Sequence, residues 1–280
     1  MKILITGGCG FIGKALTKRF LDKGYEVDII DNLYIGKEAE IVEGANFLGG
    51  DIRAMGNIPN KHYDCIYHLA AYSRVLPSYK NQNITYSVNV TGTKEVLDYA
   101  LRNNCKVIFS SSSSIHHSIS PYSTSKRMGE ELCRFYRDGL KMDITIVRLY
   151  NVYGPGELVE SHMAALIGKW RNQIKNKKHI TIHQLGMPHR AFTHIDDVVD
   201  GLEILLTTKK KNLSGWEMGN TKSYSIIQIF KMFEEKFGKL KVRYAASVLG
   251  NYKNGKRLNN DVEKLNWHPK DKLKEYINSL

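Results

Sequence analysis

The 280-residue sequence predicts an α/β fold, a doubly wound parallel sheet followed by a smaller C-terminal lobe. Three observations predict it. Short apolar segments alternate with helix-length segments through the first half. A glycine-rich turn, TGGCGFIG at 6–13, joins the first of those apolar segments to the first helix. After Asn151 the rhythm changes.

Residues 2–6 open the sheet with KILIT, which has the length of a strand rather than of a signal peptide's apolar stretch. Segments 26–30, 46–48, 65–69, 106–110 and 144–149 are short and apolar enough to be strands covered on both faces. Helical segments at 11–23, 84–103 and 122–137 lie between several of them, and that alternation makes the sheet parallel. Beyond Asn151, residues 163–175 read as a helix, 179–183 as a short alternating strand, and 195–206, 225–237 and 271–279 as helices. We expect 1–151 to form the sheet domain, with 191–208 returning to it, and 152–190 plus 209–280 to form the second lobe. No Pro/Gly/Ser linker separates the two, so they should share one interface.

With 42% hydrophobic and 25% charged residues the chain can bury a sizeable core, which excludes disordered and collagen-like classes. No apolar run approaches the ~18–20 residues of a membrane span, so a soluble, cytoplasmic protein without a membrane partner is expected. Cys9, Cys65, Cys105 and Cys133 show neither CxxC spacing nor a paired pattern; they read as buried thiols in a reducing compartment, and no metal site is expected. The net charge of +13 invites a polyanion partner, and most of the excess falls after residue 150. The basic stretch Lys169, Arg171, Lys175, Lys177 and Lys178 has Trp170 as its single interleaved aromatic, and 29 of the 41 basic residues are lysine. Both features favour a solvated face over nucleic-acid binding, although an RNA-binding or scaffold protein on a nucleotide fold is the alternative from another class.

The glycine turn carries chemistry. Gly7 allows a tight turn, Gly10 lets the backbone approach a pyrophosphate, and Gly13 allows close packing of helix on strand, which leaves an anion among the N–H groups of the helix N-terminus. Asp31 ends the second strand, 18 residues beyond Gly13, where a carboxylate can accept hydrogen bonds from ribose hydroxyls. That carboxylate repels the extra phosphate of NADP, so NAD is the expected cofactor. Asp51, in GGDIR after the third strand, could reach the adenine or serve as a plain turn carboxylate.

A serine run at 110–114 follows the fifth strand at its C-terminal end, where ligands bind in an open α/β sheet. PYSTSK comes next, with Tyr122 and Lys126 four residues apart on one helical face. An ammonium beside a phenol stabilises the phenolate, and such a tyrosine can act as general base on an alcohol.

TGGCGFIG, Asp31, HLAA at 68–71, NVTGT at 89–93, the serine run, YSTSK and RLYNVYGP at 148–155 stand in an order that resembles the extended short-chain dehydrogenases/reductases. Within them the chain is similar to the NAD-dependent nucleotide-sugar epimerase/dehydratase group, and HRAFTHIDDVVDG at 189–201 continues the likeness. The resemblance implies a Rossmann sheet and NAD contacts from Gly7, Gly10, Phe11, Ile12, Gly13, Asp31, Asn32, Asp51, Ile52, Leu69, Ala70, Ala71 and Asn89. It implies Tyr122 as catalytic base, Lys126 on the nicotinamide ribose, and Ser112 as the serine that meets the reacting hydroxyl, with Ser111 the alternative in a homopolymeric run. Ser73, Ser112, Asn151 and Arg190 would contact a nucleotide-diphosphate sugar; a turn cap is the alternative for Asn151 and an ion pair for Arg190. A homodimer through 84–103 and 122–137 is also implied, unless those apolar positions pack on the chain's own sheet.

Relatives that dehydrate or decarboxylate place acidic residues just after the catalytic Ser/Thr, where this chain has Ser113 and Ser114. Those that deprotonate carbon beside a ketone use a cysteine there, and none is present. The reaction left is 4-epimerisation of a UDP-hexose through a transient 4-keto sugar, with a reductase or dehydratase as the alternative. Two departures stand out. His116-His117 replace the usual Tyr-Gly and, with a short loop at 118–120, read as exposed loop histidines or as substrate contacts. NYKNGKR at 251–257 replaces an Arg-x-Gly-Asp motif, leaving Lys253 or Arg257 to meet the diphosphate.

Overall fold

The computed structural model describes residues 1–35, 41–117, 119–247, 249–250 and 253–280. Ser118 of the short loop and Asn251 and Tyr252 of NYKNGKR therefore lie outside the described residues.

Seven parallel strands form the central sheet. They are β1 (Lys2–Thr6), β2 (Glu26–Ile30), β3 (Asn46–Phe47), β4 (Cys65–His68), β5 (Lys106–Ser112), β6 (Ile144–Leu149) and, after four short strands in the chain, β11 (Trp216–Met218). Their order across the sheet is β3-β2-β1-β4-β5-β6-β11. Alternate residues face opposite helix layers, as the two-residue strand period demands. Ile3, Ile5, Cys65 and Tyr67 pack beneath α1 (Phe11–Asp22) and α8 (Ile195–Thr207), while Leu4, Ile66 and Val107 pack beneath α4 (Gly92–Arg102) and α6 (Pro121–Arg134). The direction of winding reverses between β1 and β4, so the loops at their C-terminal ends part there and open a crevice.

The expected helix at 84–103 is divided into α3 (Gln82–Tyr86), a wide π-type turn at Ser87–Thr91, and α4. That wide turn carries Asn89, which is buried and bonded to neighbouring elements rather than to the helix alone. A further helix, α2 (Val75–Lys80), precedes α3, and α5 (Ser114–His117) follows β5. Trp216–Met218 lies in the central sheet and not in the second lobe, because Glu217 in its centre is bound by Arg148 on neighbouring β6. The outer faces of α4 and α6 leave Leu101 and Met128 exposed.

The second lobe contains β7 (Val152–Tyr153) and β10 (Thr193–His194), which pair beside the sheet domain, and α7 (Leu166–Lys175). It also contains the parallel pair β8 (Ile180–His183) and β13 (Val242–Ala245). A small sheet joins β12 (Ser223–Ser225), β9 (His189–Ala191) and β14 (Asn254–Gly255), and α9 (Ile226–Phe237) and α10 (Leu273–Ser279) complete the lobe. Trp170, Phe230, Phe233 and Ile277 fill its core, with the Trp170 and Phe233 rings edge to face at 5.4 Å. Among the described residues no helix is long and apolar enough to cross a membrane, and all four cysteines are buried and unbridged.

Candidate active site

The crevice begins at the turn between β1 and α1. Gly7 sits at φ +75°, and a β-carbon there would come within 2.7 Å of the Ala70 nitrogen; one at Gly13 would lie 2.1 Å from the Gly7 carbonyl oxygen. Both positions therefore require glycine. Helix α1 starts from Gly10 with no side-chain cap and no acidic residue in its first turn, so the N–H groups of Phe11, Ile12 and Gly13 are left for an anion. Asp31 is fixed at the end of β2 by accepting from the Cys9 and Leu33 N–H groups at 3.0 and 2.8 Å. Asn32 donates to Asp51 at 3.0 Å, and the Arg53 guanidinium holds the Asp51 carboxyl down to about 2. Gly7, Gly10, Phe11, Ile12, Gly13, Asp31, Asn32, Asp51, Ile52, Leu69, Ala70 and Ala71 all line one cavity of about 450 Å³. An uncapped helix start at one point of that wall and an ordered carboxylate at the end of β2 are the donor and acceptor a dinucleotide needs, so the residues fit NAD.

Asn89 does not reach the cavity wall. Its carboxamide accepts from the Tyr72 N–H at 2.7 Å and donates to the Tyr72 carbonyl and the Ser125 hydroxyl, so it holds the loop after β4 onto α6. His68 plays a similar part. Thr93 donates its hydroxyl proton to the Asn89 carbonyl, so the network assigns the His68 Nε2–H as donor to Thr93 Oγ1 and Nδ1 as acceptor from Thr6. Burial, with the nearby Lys126 charge, pushes His68 down to about 3, which keeps it neutral.

Ser112, Tyr122 and Lys126 meet on the same cavity wall. The placement of the last two is set by the start of α6, where Ser120 and Ser123 cap one another's backbone N–H groups and Pro121 occupies the first turn. The Tyr122 N–H also donates to Ser78 Oγ at 3.1 Å. Lys126 is buried, donates to the Ser110 carbonyl at 2.7 Å and lies 5.0 Å from the centre of the Phe109 ring; burial pushes its ammonium down to about 8. Ser112 Oγ accepts from the Ser114 N–H and lies 3.0 Å from Ser114 Oγ, whereas the Ser111 hydroxyl is buried with no hydrogen-bond partner among the described residues. Both serines line the cavity. Among the described residues, the carboxylates on its wall are Asp31 and Asp51, beside the nucleotide cradle.

Ser73 and Asn151 extend the wall towards the second lobe. Asn151, at φ +30°, donates to the Ala191 carbonyl at 2.7 Å and borders a second cavity of about 1050 Å³ that also has Lys169, Lys175 and Lys178 on its wall. Arg190 lines neither cavity and donates to the His189 carbonyl. The Lys253 carbonyl accepts from the His189 N–H at 3.0 Å, which puts exposed Lys253 beside β9. Arg257 is turned inward, its side chain 3% exposed and bound to the Gly219 carbonyl, Asn260 and Glu263, and it lines neither cavity. His116 is not an exposed loop residue either, since its Nε2 lies 2.9 Å from buried Glu217. In the basic stretch, Arg171 is bound to Glu157 and Tyr276, and Lys175 to Glu160. Arg74, to which no sequence motif points beyond a lone charge within LAAYSRVLPSY at 69–79, lines both cavities.

The model of the NAD dependent epimerase/dehydratase family matches residues 3–219. The chain belongs to this family. Membership makes NAD the cofactor, in keeping with the cradle. Among family members, the UDP-glucuronic acid decarboxylase 1 of Xenopus tropicalis is 26% identical over 85% of the chain, which spans 60% of that relative's length. A crystal structure of UDP-glucose 4-epimerase from Thermotoga maritima with UDP-glucose matches with TM-score 0.92 at 25% identity, covering 99% of this chain and 96% of that one. The UDP-glucuronic acid 4-epimerase of Bacillus cereus, in complex with UDP-glucuronic acid and NAD, matches with TM-score 0.88 at 28% identity over the same shares. The relatives thus include epimerases and decarboxylases of sugar nucleotides.

Proposed function

We propose that the chain is an NAD-dependent nucleotide-sugar 4-epimerase acting on a UDP-hexose. The observation that carries this reading is the composition of the cavity wall around Tyr122: Ser112 and Lys126 stand with it, and the wall's carboxylates belong to the nucleotide cradle. Dehydration needs an acid to expel a hydroxyl, and Ser113 and Ser114 supply none.

In this reading Tyr122 takes the proton of the sugar 4-hydroxyl while Ser112 holds the oxygen. The charge of Lys126 favours the phenolate that does so. NAD, held by the cradle, would supply the hydride acceptor and donor at C4, and the 4-keto sugar would turn over in the pocket so that its other face is reduced. Tyr122 keeps the proton through the 4-keto stage and gives it back to the same oxygen, so no net oxidation remains. The diphosphate would meet Asn151 and the lysines of the second cavity.

Incubation with UDP-, GDP- and dTDP-sugars, with products resolved by NMR, tests the reading. A UDP-sugar and its 4-epimer should interconvert, and Tyr122→Phe should lose at least ~100-fold of the rate, the lower end for general acid–base catalysis. Wild-type turnover in that variant would remove Tyr122 from the chemistry.

A further inference from the structure

The proposed reaction gives Arg74 no task, yet its surroundings are unusual for a cation. It stands at the neck between the two cavities, which it shares with Val75 and Asn151. Its backbone is held at φ +86° and ψ 135°, a conformation that a residue with a β-carbon rarely adopts. Its Nε donates to the Met163 carbonyl at 2.8 Å, which fixes the guanidinium plane. Burial works against its charge, and the groups whose charges favour it are Tyr122 and Glu157. Glu157, however, has its Oε1 bound by Arg171 at 3.4 Å and Tyr276 at 2.9 Å, and although its Oε2 is buried without a hydrogen-bond partner among the described residues, it forms no ion pair with Arg74. Among the described residues Arg74 forms no ion pair, and a partly desolvated guanidinium facing a cavity is normally paired by protein or by ligand.

We propose that Arg74 binds a carboxylate on C6 of the sugar, so that the substrate is a nucleotide-linked hexuronic acid. This rests on the 4-epimerase reading only in taking Tyr122 as the group that meets the 4-hydroxyl. C6 is carried by C5, the direct neighbour of C4, whereas the diphosphate is attached at C1 across the ring. Arg74 and Tyr122 line the same cavity, so an anion that Arg74 meets there, on the side of the 4-hydroxyl, is the C6 carboxylate. With Nε engaged, NH1 and NH2 are the fork that meets a carboxylate side by side. A neutral hydroxymethyl group at C6 would leave the guanidinium without a counter-charge.

Calorimetric titration of NAD-loaded Tyr122→Phe protein with UDP-glucuronate and with UDP-glucose tests this without turnover. The uronate should bind at least ~30-fold more tightly, the low end for a desolvated charge pair. Adding Arg74→Met should erase that preference while leaving UDP-glucose within ~3-fold, and Arg74→Lys should recover part of it. Equal affinities in the parent would overturn the proposal, and so would an Arg74→Met variant that weakens both ligands alike, which would place the guanidinium on the diphosphate. If Arg74→Met does not fold, the parent ratio decides by itself. Failure of the 4-epimerase reading looks different: the uronate preference would stand, and the protein with Tyr122 intact would form no 4-epimer.

Discussion

Lys126 would serve both the fold and the proposed reaction. Its ammonium is buried against Phe109 and satisfied by the Ser110 carbonyl, and burial lowers its pKa from 10.5 to about 8. Below that value the charge is present to favour the Tyr122 phenolate; above it the charge is lost. The kcat/KM profile should therefore fall on the alkaline side near pH 8, since that ratio reports groups of the protein before substrate binds. A flat profile through about pH 10, where an unperturbed lysine titrates, would contradict this. The effect on stability has the opposite sign. Between about 8 and 10.5 the unfolded chain binds more protons, so stability rises with pH in that window and the cost of the buried charge is fully present below it. Spacing alone placed Tyr122 and Lys126 on one face of a helix, and the structure keeps them on one cavity wall. Arg74 was not legible in the same way. Its strained backbone and its place at the neck depend on α2 and Met163, which are remote from any pattern in the surrounding sequence.

At the scale of elements, strand β11 shows where sequence pattern stops informing. Trp216–Met218 is three residues long with a glutamate in its centre, and no period can be read from it. What holds it in the sheet is an ion network. Arg148 on β6 forks onto Glu130 of α6 with two bonds of 2.7 Å and reaches Glu217 at 2.7 Å, while Tyr150 and His116 complete the Glu217 carboxylate. Burial opposes the Glu217 charge, and these bonds nevertheless hold its carboxyl below the ordinary range. Removing the shared cation should be costly. Arg148→Met is expected to lose ~3–5 kcal/mol in denaturant unfolding, because two buried carboxylates lose their main partner. A loss below ~1 kcal/mol would mean that Arg134 and His116 compensate. The wide turn at Ser87–Thr91 was likewise hidden inside a continuous helical pattern, since what interrupts it is Asn89 bonding to Tyr72 and Ser125 elsewhere in the chain. The strands of the sheet core, by contrast, are apolar runs buried on both faces, which is the pattern that sequence reports most directly.

For the molecule as a whole, the reversal of winding between β1 and β4 sets the NAD cradle against the second lobe, and the cavity wall runs from one to the other. Most of the excess positive charge lies after residue 150, and part of it, Lys169, Lys175 and Lys178, faces the second cavity, where the proposed reaction puts a diphosphate. In the proposed reaction the sugar is oxidised and reduced at C4, with its own hydrogen returned. Turnover of the preferred UDP-sugar in D2O, followed by NMR and mass spectrometry of the products, tests this most directly. The 4-epimers should interconvert with no deuterium at any ring carbon and no release of CO2. Deuterium at a ring carbon, a dehydrated product or a pentose formed with CO2 would contradict it.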